Sequence, residues 1–457
     1  MSEHMSLPAI LALGCVVLAC TSRQGNAGFE PPGGPGAIRV YDPTEAYGRL
    51  GMLAAAGPVP FAASLRFLAD AQPDSTVVLL GLSLESSALS FRRIGSNFEA
   101  GYRVDILCAR DDSVLVEEAV YETVRVARFS ETRRQDESIV FQTFFRLSPG
   151  VAAVTVSVTD LHRGDTSRAR LQVVVPDYGM GSVTLGLVPV YEGHARVSTA
   201  VNPELVMNPR VFAVYDADTL HFYVEWYGPP GLHIAGVSAA TVSGTVLWQD
   251  TVALVPAGPG LATGFAHIPA DRMLVGTVQV EVEQGGSPFS VHANAVVGIS
   301  SDWPVADFED VLSLLRFFGS SQSRDRLRKA TAAELPHRWG EFWEETDPDR
   351  STGVNEALSG YLEDLAVATA RFSEPGRPGW LTERGEVFLT LGRPDAVRDV
   401  QEDTALGGQQ LIRWDYGSGD LVLYFVREGG RGVFRLTPAS RVEYYDAVRR
   451  RERTDGG

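Results

Sequence analysis

Gly379-Trp380-Leu381-Thr382-Glu383-Arg384-Gly385, followed by Glu386-Val387-Phe388-Leu389-Thr390-Leu391-Gly392 and then Arg393-Pro394-Asp395, is the stretch around which the chain is organised. Gly379 permits backbone angles that other residues avoid, and Trp380 supplies a large apolar anchor. Thr382 is of the residue type that caps the turn after it. Val387, Leu389 and Leu391 alternate with Phe388 and Thr390, which predicts a short strand covered on both faces. The stretch therefore reads as a tight aromatic turn, a buried strand and a second turn at Gly392–Asp395.

Further motifs flank it in order. Phe342-Trp343, Asp347-Pro348, Asn355-Glu356 and Tyr361 come before it, and Ile412-Arg413-Trp414-Asp415-Tyr416 after it. Over roughly residues 335–440 this series resembles the GWxTD domain, a family of bacterial envelope proteins without an established molecular function. Glu383 stands where the family has Asp, and Arg393 where it has Pro. The resemblance implies that Trp343, Asn355, Glu356, Gly379, Trp380, Thr382, Glu383, Gly385, Gly392, Pro394, Asp395 and Trp414 are motif residues, and their expected role is structural. It also implies β-rich segments upstream of the motif.

Outward from the motif, the chain divides by hydrophobic period. Residues 41–178 read as short strands at regular spacing: Ser75–Leu84, Phe98–Ala109, Ser113–Arg128, Ser138–Leu147, Val151–Asp160 and Ser167–Val175. Val154, Val156 and Val158 alternate with Thr155, Ser157 and Thr159, which is a clean two-residue period. Residues 179–300 repeat the style, with Ser182–Val190, Val211–Val214, Thr219–Trp226, Thr241–Val255, Met273–Glu283 and Phe289–Val297. The economical fold is two immunoglobulin-like β-sandwiches, although the Cys–Trp–Cys hallmark is missing. After Trp303-Pro304 the period becomes 3.6. Phe308, Val311, Leu312, Leu315 and Phe318 make one stripe, with Asp307 as cap and Gly319 as stop. Leu335, Trp339, Phe342 and Trp343 make a second, and Val354 to Phe372 a third. Five of the seven tryptophans lie beyond residue 300, which predicts an aromatic core there. Residues 301–374 are thus a helical segment. Residues 375–450 are a small α+β domain with strands Gln410–Tyr416, Leu421–Val426 and Gly432–Leu436 and a closing helix Val442–Arg450. Residues 451–457 are a disordered tail.

Leu7–Cys20 is an apolar run of about the length of a signal core. Its end, Val17-Leu18-Ala19-Cys20, resembles a bacterial lipobox, so residues 1–20 are expected to be a signal peptide and Cys20 the acylated residue. The segment before it has no Lys or Arg, Leu18 is bulky, and Met5 is an alternative start to Met1. Plain cleavage with release into the periplasm is therefore the alternative. Thr21, rather than Asp, after the cysteine points to the outer membrane by analogy with lipoprotein sorting. Residues 21–40, with Pro31-Pro32-Gly33-Gly34-Pro35-Gly36, read as a flexible tether.

At 457 residues the chain exceeds one small domain. Its 57 Asp+Glu against 40 Lys+Arg give a net charge of -17, which argues against nucleic acid as a partner. Arg449-Arg450-Arg451 is the one basic cluster and reads as a solvated helix end. Cys15 and Cys20 fall in the leader, so no disulfide framework is expected. Cys108 shares an alternating strand with Tyr102, Val104 and Ile106 and should be buried. Lys329 follows no Gly-rich turn, which excludes a phosphate-cradling loop of the Walker type. His221, Tyr223 and Glu225 share a strand face without making a metal set. Asp347–Gly353 lacks the spacing of a calcium loop and reads as a helix–loop–helix connection, with Ser351 or Thr352 near the next cap. Glu383 and Asp395 are the best pair for a catalytic role. The competing reading puts Glu383 in a capped turn and Asp395 at a helix start.

The expected function is that of a non-catalytic, lipid-anchored envelope protein that binds or scaffolds. Its partners would be the membrane and an envelope protein, and no cofactor or metal is expected. One alternative is a hydrolase with its site around Glu383 and Asp395. Another is a carbohydrate- or peptide-binding module on a sandwich face.

Overall fold

The computed structural model describes residues 43–133, 138–179, 185–284, 289–300, 307–401, 410–417, 420–428 and 432–455. The leader, Cys20, the tether and Trp303-Pro304 lie outside the described residues. A short helix α1 (Pro43–Arg49) leads into β1 (Leu53–Ala55), β2 (Phe61–Ala69), β3 (Thr76–Glu85), β4 (Arg92–Ile94), β5 (Asn97–Arg110), β6 (Ser113–Val126), β7 (Ser138–Leu147), β8 (Gly150–Asp160) and β9 (Thr166–Val175). Two antiparallel sheets result. One has the order β1-β2-β3-β7; the other holds β5, β8 and β9, with β4 and β6 both paired to β5. The two-residue period sends Tyr102, Val104, Ile106 and Cys108 of β5 inward, into one core with Val78, Leu80 and Leu82 of β3. Cys108 is buried there as expected, and burial pushes its thiol pKa up to about 12.

The second sandwich runs from β10 (Leu185–His194) through β11 (Glu204–Met207), β12 (Phe212–Val214), β13 (Thr219–Tyr227), β14 (His233–Thr241), β15 (Val246–Gly258), β16 (Leu261–Pro269) and β17 (Gly276–Gln284) to β18 (Ser290–Gly298). The strand order is β11-β10-β13-β16-β15-β14-β17-β18-β12. The long β15 pairs with β14 over most of its length and with β16 at its end, so it turns the corner between the layers. The expected single strand Thr241–Val255 is instead broken by a turn closed by Thr241 N to Thr245 O at 2.9 Å. Strands β2, β14 and β16 were not expected. They are rich in Ala and Gly, whose weak β preference is overridden by packing between neighbours.

The two sandwiches share a buried seam. Strand β3 reads Thr-Val-Val-Leu-Leu-Gly-Leu-Ser-Leu-Glu, apolar on both faces. One face belongs to the first core. Val77 and Leu79 on the other pack with Val188, Val190, Met207 and Tyr223 of the second sandwich. An ion pair sits beside this contact, with both side chains fully enclosed. Arg196 Nη2 lies 2.7 Å from Glu225 Oε2, and Nε lies 2.8 Å from Oε1. Arg196 Nη2 also donates to Ala69 O at 2.7 Å, reaching into the first sandwich. Tyr223 and Tyr227 each donate a hydroxyl to Glu225 at 2.5 Å, and Ala69 N donates to Tyr227 Oη at 3.0 Å.

Helices α2 (Phe308–Leu314), α3 (Ser321–Lys329), α4 (Leu335–Thr346) and α5 (Glu356–Phe372) follow. Asp307 stands at the start of α2, but its side chain caps nothing and pairs with Arg49 at 3.1 Å. Helix α3 was not expected. The cap of α5 is Asn355, rather than Ser351 or Thr352. The last domain contains α6 (Glu383–Leu391), a sheet of β19 (Ala396–Gln401), β20 (Gln410–Tyr416), β21 (Leu421–Glu428) and β22 (Val433–Leu436), and α7 (Pro438–Asp455). Helix α7 starts before the expected Val442 and runs through residues 451–455, part of the expected disordered tail. The fold is mainly β with several sheets, then a helical segment and a small β domain, as expected. The period change near residue 300 does not interrupt the packing. Tyr215 of the second sandwich meets Trp339 and Trp343 of α4 edge-on at 5.7 and 4.8 Å, and Trp343 Nε1 donates to Asp216 at 3.1 Å.

Glu225→Gln should destabilise the protein by about 3–5 kcal/mol, because it strips a buried arginine of its charge partner. The double variant Arg196→Met, Glu225→Leu should recover much of that loss. Urea unfolding midpoints of the three proteins would check this; a midpoint for Glu225→Gln equal to wild type would refute it.

Candidate functional site

The motif stretch forms a knot of backbone at the end of α5. Gly379 to Leu381 is a single 3-10 turn, and Trp380 within it is buried. Thr382 is fully buried. Its Oγ1 donates to Gly379 O at 2.7 Å and accepts from Gly385 N at 3.1 Å, which caps α6. A Cβ on Gly379 would lie 1.9 Å from Ala368 O, and one on Gly385 would lie 2.0 Å from Gly379 O. Both neighbours are backbone and cannot step aside, so each position admits only glycine.

The expected strand Val387–Leu391 is a helix. Thr382 caps it, Glu383 and Glu386 stand in its first turn, and Gly392, at φ 85, ends it. Val387 and Phe388 are buried, with Leu389 and Leu391 half-buried around them, because α6 packs on α5, β22 and α7 together. Such a helix is apolar on several sides, and over so short a run that pattern mimics the alternation of a covered strand. Asp395 does not start a helix either. It lies just ahead of β19, where its N–H reaches Asp415 O at 2.9 Å. Glu383 and Asp395 stand at opposite ends of α6, whose nine residues span about 13 Å at ~1.5 Å each, so the structure does not bring them together as a pair.

The carboxylates here close a sheet edge. Among the described residues β22 is the outer strand of its sheet, and its outward N–H groups face no further strand. Glu374 Oε1 accepts from Phe434 N at 3.0 Å, and Glu383 Oε2 accepts from Leu436 N at 2.6 Å. Arg441 Nη2 donates to Glu383 Oε1 at 2.9 Å. Arg384 lies between the rings of Phe434 and Phe372, 4.2 and 5.5 Å from their centres, with Glu374 3.8 Å from its Nη2. Glu386 is half-buried and accepts from Tyr444 Oη at 3.2 Å. Burial holds its carboxyl pKa above the usual glutamate value. Glu374, Arg384 and Glu386 escaped the sequence reading. A threonine cap, acidic residues in the next turn and a glycine stop were the signal that placed them on one helix or beside it.

The other motif residues are also tied in. Asn355 Oδ1 accepts from Leu358 N at 2.9 Å, and its Nδ2 donates to Trp343 O at 3.2 Å, which joins the end of α4 to the start of α5. Glu356 accepts from Thr352 Oγ1 at 2.6 Å. Trp414 is buried, 5.3 Å from Phe372 and 4.8 Å from Phe425, centre to centre. Beside it opens a cleft of about 440 Å³. It is lined mainly by apolar residues, among them Phe372, Phe388, Pro394, Ile412 and Trp414, with Arg371, Arg384 and Arg393 also at its wall. Arg393 pairs with Asp364 at 3.2 Å. Far from this domain, His221 Nδ1 meets His267 Nδ1 at 2.6 Å while Glu225 is engaged in the seam. Among the described residues no three His, Cys, Asp or Glu side chains converge on a metal position.

These observations define a mainly β protein of several sheets whose motif residues organise its last domain. No protein-family model matches the chain, and a search of curated proteins finds none that matches it.

Two outcomes are expected. Trp380→Ala should cost about 3–5 kcal/mol through the cavity it leaves, and Gly385→Ala roughly 1–3 kcal/mol or more through forced backbone displacement. Denaturant titrations that leave either variant at wild-type stability would contradict the packing described. For Glu386, the folded state keeps its proton at pH values where the unfolded state has lost it. Its contribution to stability therefore falls as pH rises from the ordinary glutamate range through the raised folded value. Glu386→Gln should remove that decline, so melting temperatures of variant and wild type should diverge in the variant's favour as pH rises across this window.

Proposed function

We propose that the chain is a lipid-anchored envelope protein of the GWxTD-like type that binds or scaffolds a protein partner without catalysing a reaction. The observation that carries the reading is that the motif residues are engaged in packing. Gly379 and Gly385 permit close backbone contact, Thr382 and Asn355 cap helices, Trp343, Trp380 and Trp414 anchor cores, and Glu383 closes a sheet edge. The hydrolase reading needs Glu383 and Asp395 across one substrate, and they stand at opposite ends of α6. The locked seam between the sandwiches suits a stiff spacer. The cleft at Trp414, lined by aromatic residues and by three arginines, suits a partner's apolar side chain next to an acidic one. Anchoring at Cys20, an address at the periplasmic face of the outer membrane and the absence of a nucleic-acid partner complete the proposal.

The test uses native membranes. Cys20→Ala should move the protein from the membrane fraction to the soluble one, and an unmodified mature N-terminus elsewhere, seen by mass spectrometry, would rule the anchor out. Cross-linking to a partner should be lost with Arg371→Glu, Arg393→Glu and kept with Glu383→Gln. If Glu383→Gln instead abolished a hydrolytic activity while keeping the melting curve, the enzyme reading would replace this one.

A further inference from the structure

A second cleft lies where the two sandwiches meet, away from the motif. It measures about 350 Å³ and is walled by β2, β9, β18 and the turn after α1. Ser64 and Arg66 are two residues apart on β2 and so share a face; both line the cleft. His292 and Asn294 stand in the same relation on β18 and line it as well. Ser64 is 4% exposed and its Oγ has no hydrogen-bond partner among the described residues. Arg66 as a whole is half-buried, yet its Nε is enclosed and likewise without a partner. Among the described residues that line the cleft there is no Asp or Glu.

Arg196, at the other side of the same seam, is enclosed and saturated by Glu225 and backbone carbonyls. An enclosed guanidinium nitrogen left unpaired is costly unless something from outside satisfies it. Burial with no compensating negative neighbour pulls the Arg66 pKa down to about 10. Arg66, Ser64, His292 and Asn294 line the cleft, and Leu50 and Met52 add apolar wall. Planar guanidinium donors match carboxylate and phosphate oxygens, and the volume lies at the lower end for small-molecule sites.

We propose that this seam cleft is an anion-binding site, in which Arg66 and Ser64, with Asn294 and His292 from the facing strand, hold the carboxylate or phosphate head of a small ligand. The proposal is independent of the role of the C-terminal cleft. It makes the junction of the sandwiches a place where a ligand reports on, or stiffens, their relative packing.

The test titrates the full folded chain with inorganic phosphate, acetate and hexanoate at constant ionic strength against chloride, following melting temperature and heat of binding. Wild type should bind at least one of these anions and melt higher with it. Phosphate above hexanoate would identify a phosphate head; hexanoate above acetate would identify a carboxylate with an apolar body. Arg66→Met should bind at least about tenfold more weakly, the loss expected for hydrogen bonds to a charged group. Without anion it should be no less stable than wild type, since it removes an unpaired enclosed charge. Asn294→Asp, which sets a competing carboxylate on the facing wall, should also lose the response. An equal response in wild type and Arg66→Met, no response in wild type, or an Arg66→Met protein that is less stable in anion-free buffer would each overturn the proposal.

Discussion

The carboxylate of Glu225 receives Arg196 through two nitrogens and the hydroxyls of Tyr223 and Tyr227, with the Arg196 and Glu225 side chains out of contact with water. Much else depends on this cluster. An enclosed ion pair is tolerable only when its remaining hydrogen-bonding positions are filled, and here the fillers come from both sandwiches. Arg196 and Tyr227 both reach the backbone of Ala69, one to its carbonyl and the other to its N–H. The sheet containing β2 and β3 is thereby trapped between two cores, and the sandwiches cannot slide without breaking the cluster. A buried polar network of this kind specifies one arrangement where apolar contact alone would allow several.

The same principle governs the C-terminal domain with different parts. An outer strand presents N–H groups that must be satisfied, and Glu374 and Glu383 supply the acceptors a further strand would have supplied. Glu383 is held in turn by Arg441 from α7, so the carboxylate joins the start of α6, the edge of the sheet and the closing helix. The Glu383 side chain thus spans from a helix start to a strand. Gly379 lets the turn press directly on α5, and Gly385 lets the start of α6 press on the turn.

Set side by side, Arg196 and Arg66 show how an enclosed charge separates structure from recognition. Both stand near the junction of the sandwiches. One is completed from within the chain, and its surroundings leave no room for a ligand. The other faces an open volume lined by polar groups without an acid among them. The chain meets the constraint on buried charge in the first place and leaves it unmet in the second.

Local pattern carried much of this from the amino-acid order alone. The alternation from Val154 to Thr159 and the stripes of Trp339 and Trp343 and of Leu358 to Leu365 predict strands and helices that are found, because the period of a side chain along its own backbone is a local property. Thr382 as a cap was equally legible. The nature of α6 was not, since a helix covered on several sides loses the polar face that would distinguish it from a covered strand. Strands β2, β14 and β16 were hidden by small residues whose strand state comes from their neighbours in the sheet. Only the tertiary structure decided which charges meet. Arg196 with Glu225, Glu383 with Arg441 and Leu436, and the unpaired Arg66 beside Ser64 are set by how sheets and helices stack. Charge pairing acts through space, and sequence separation carries almost no information about it.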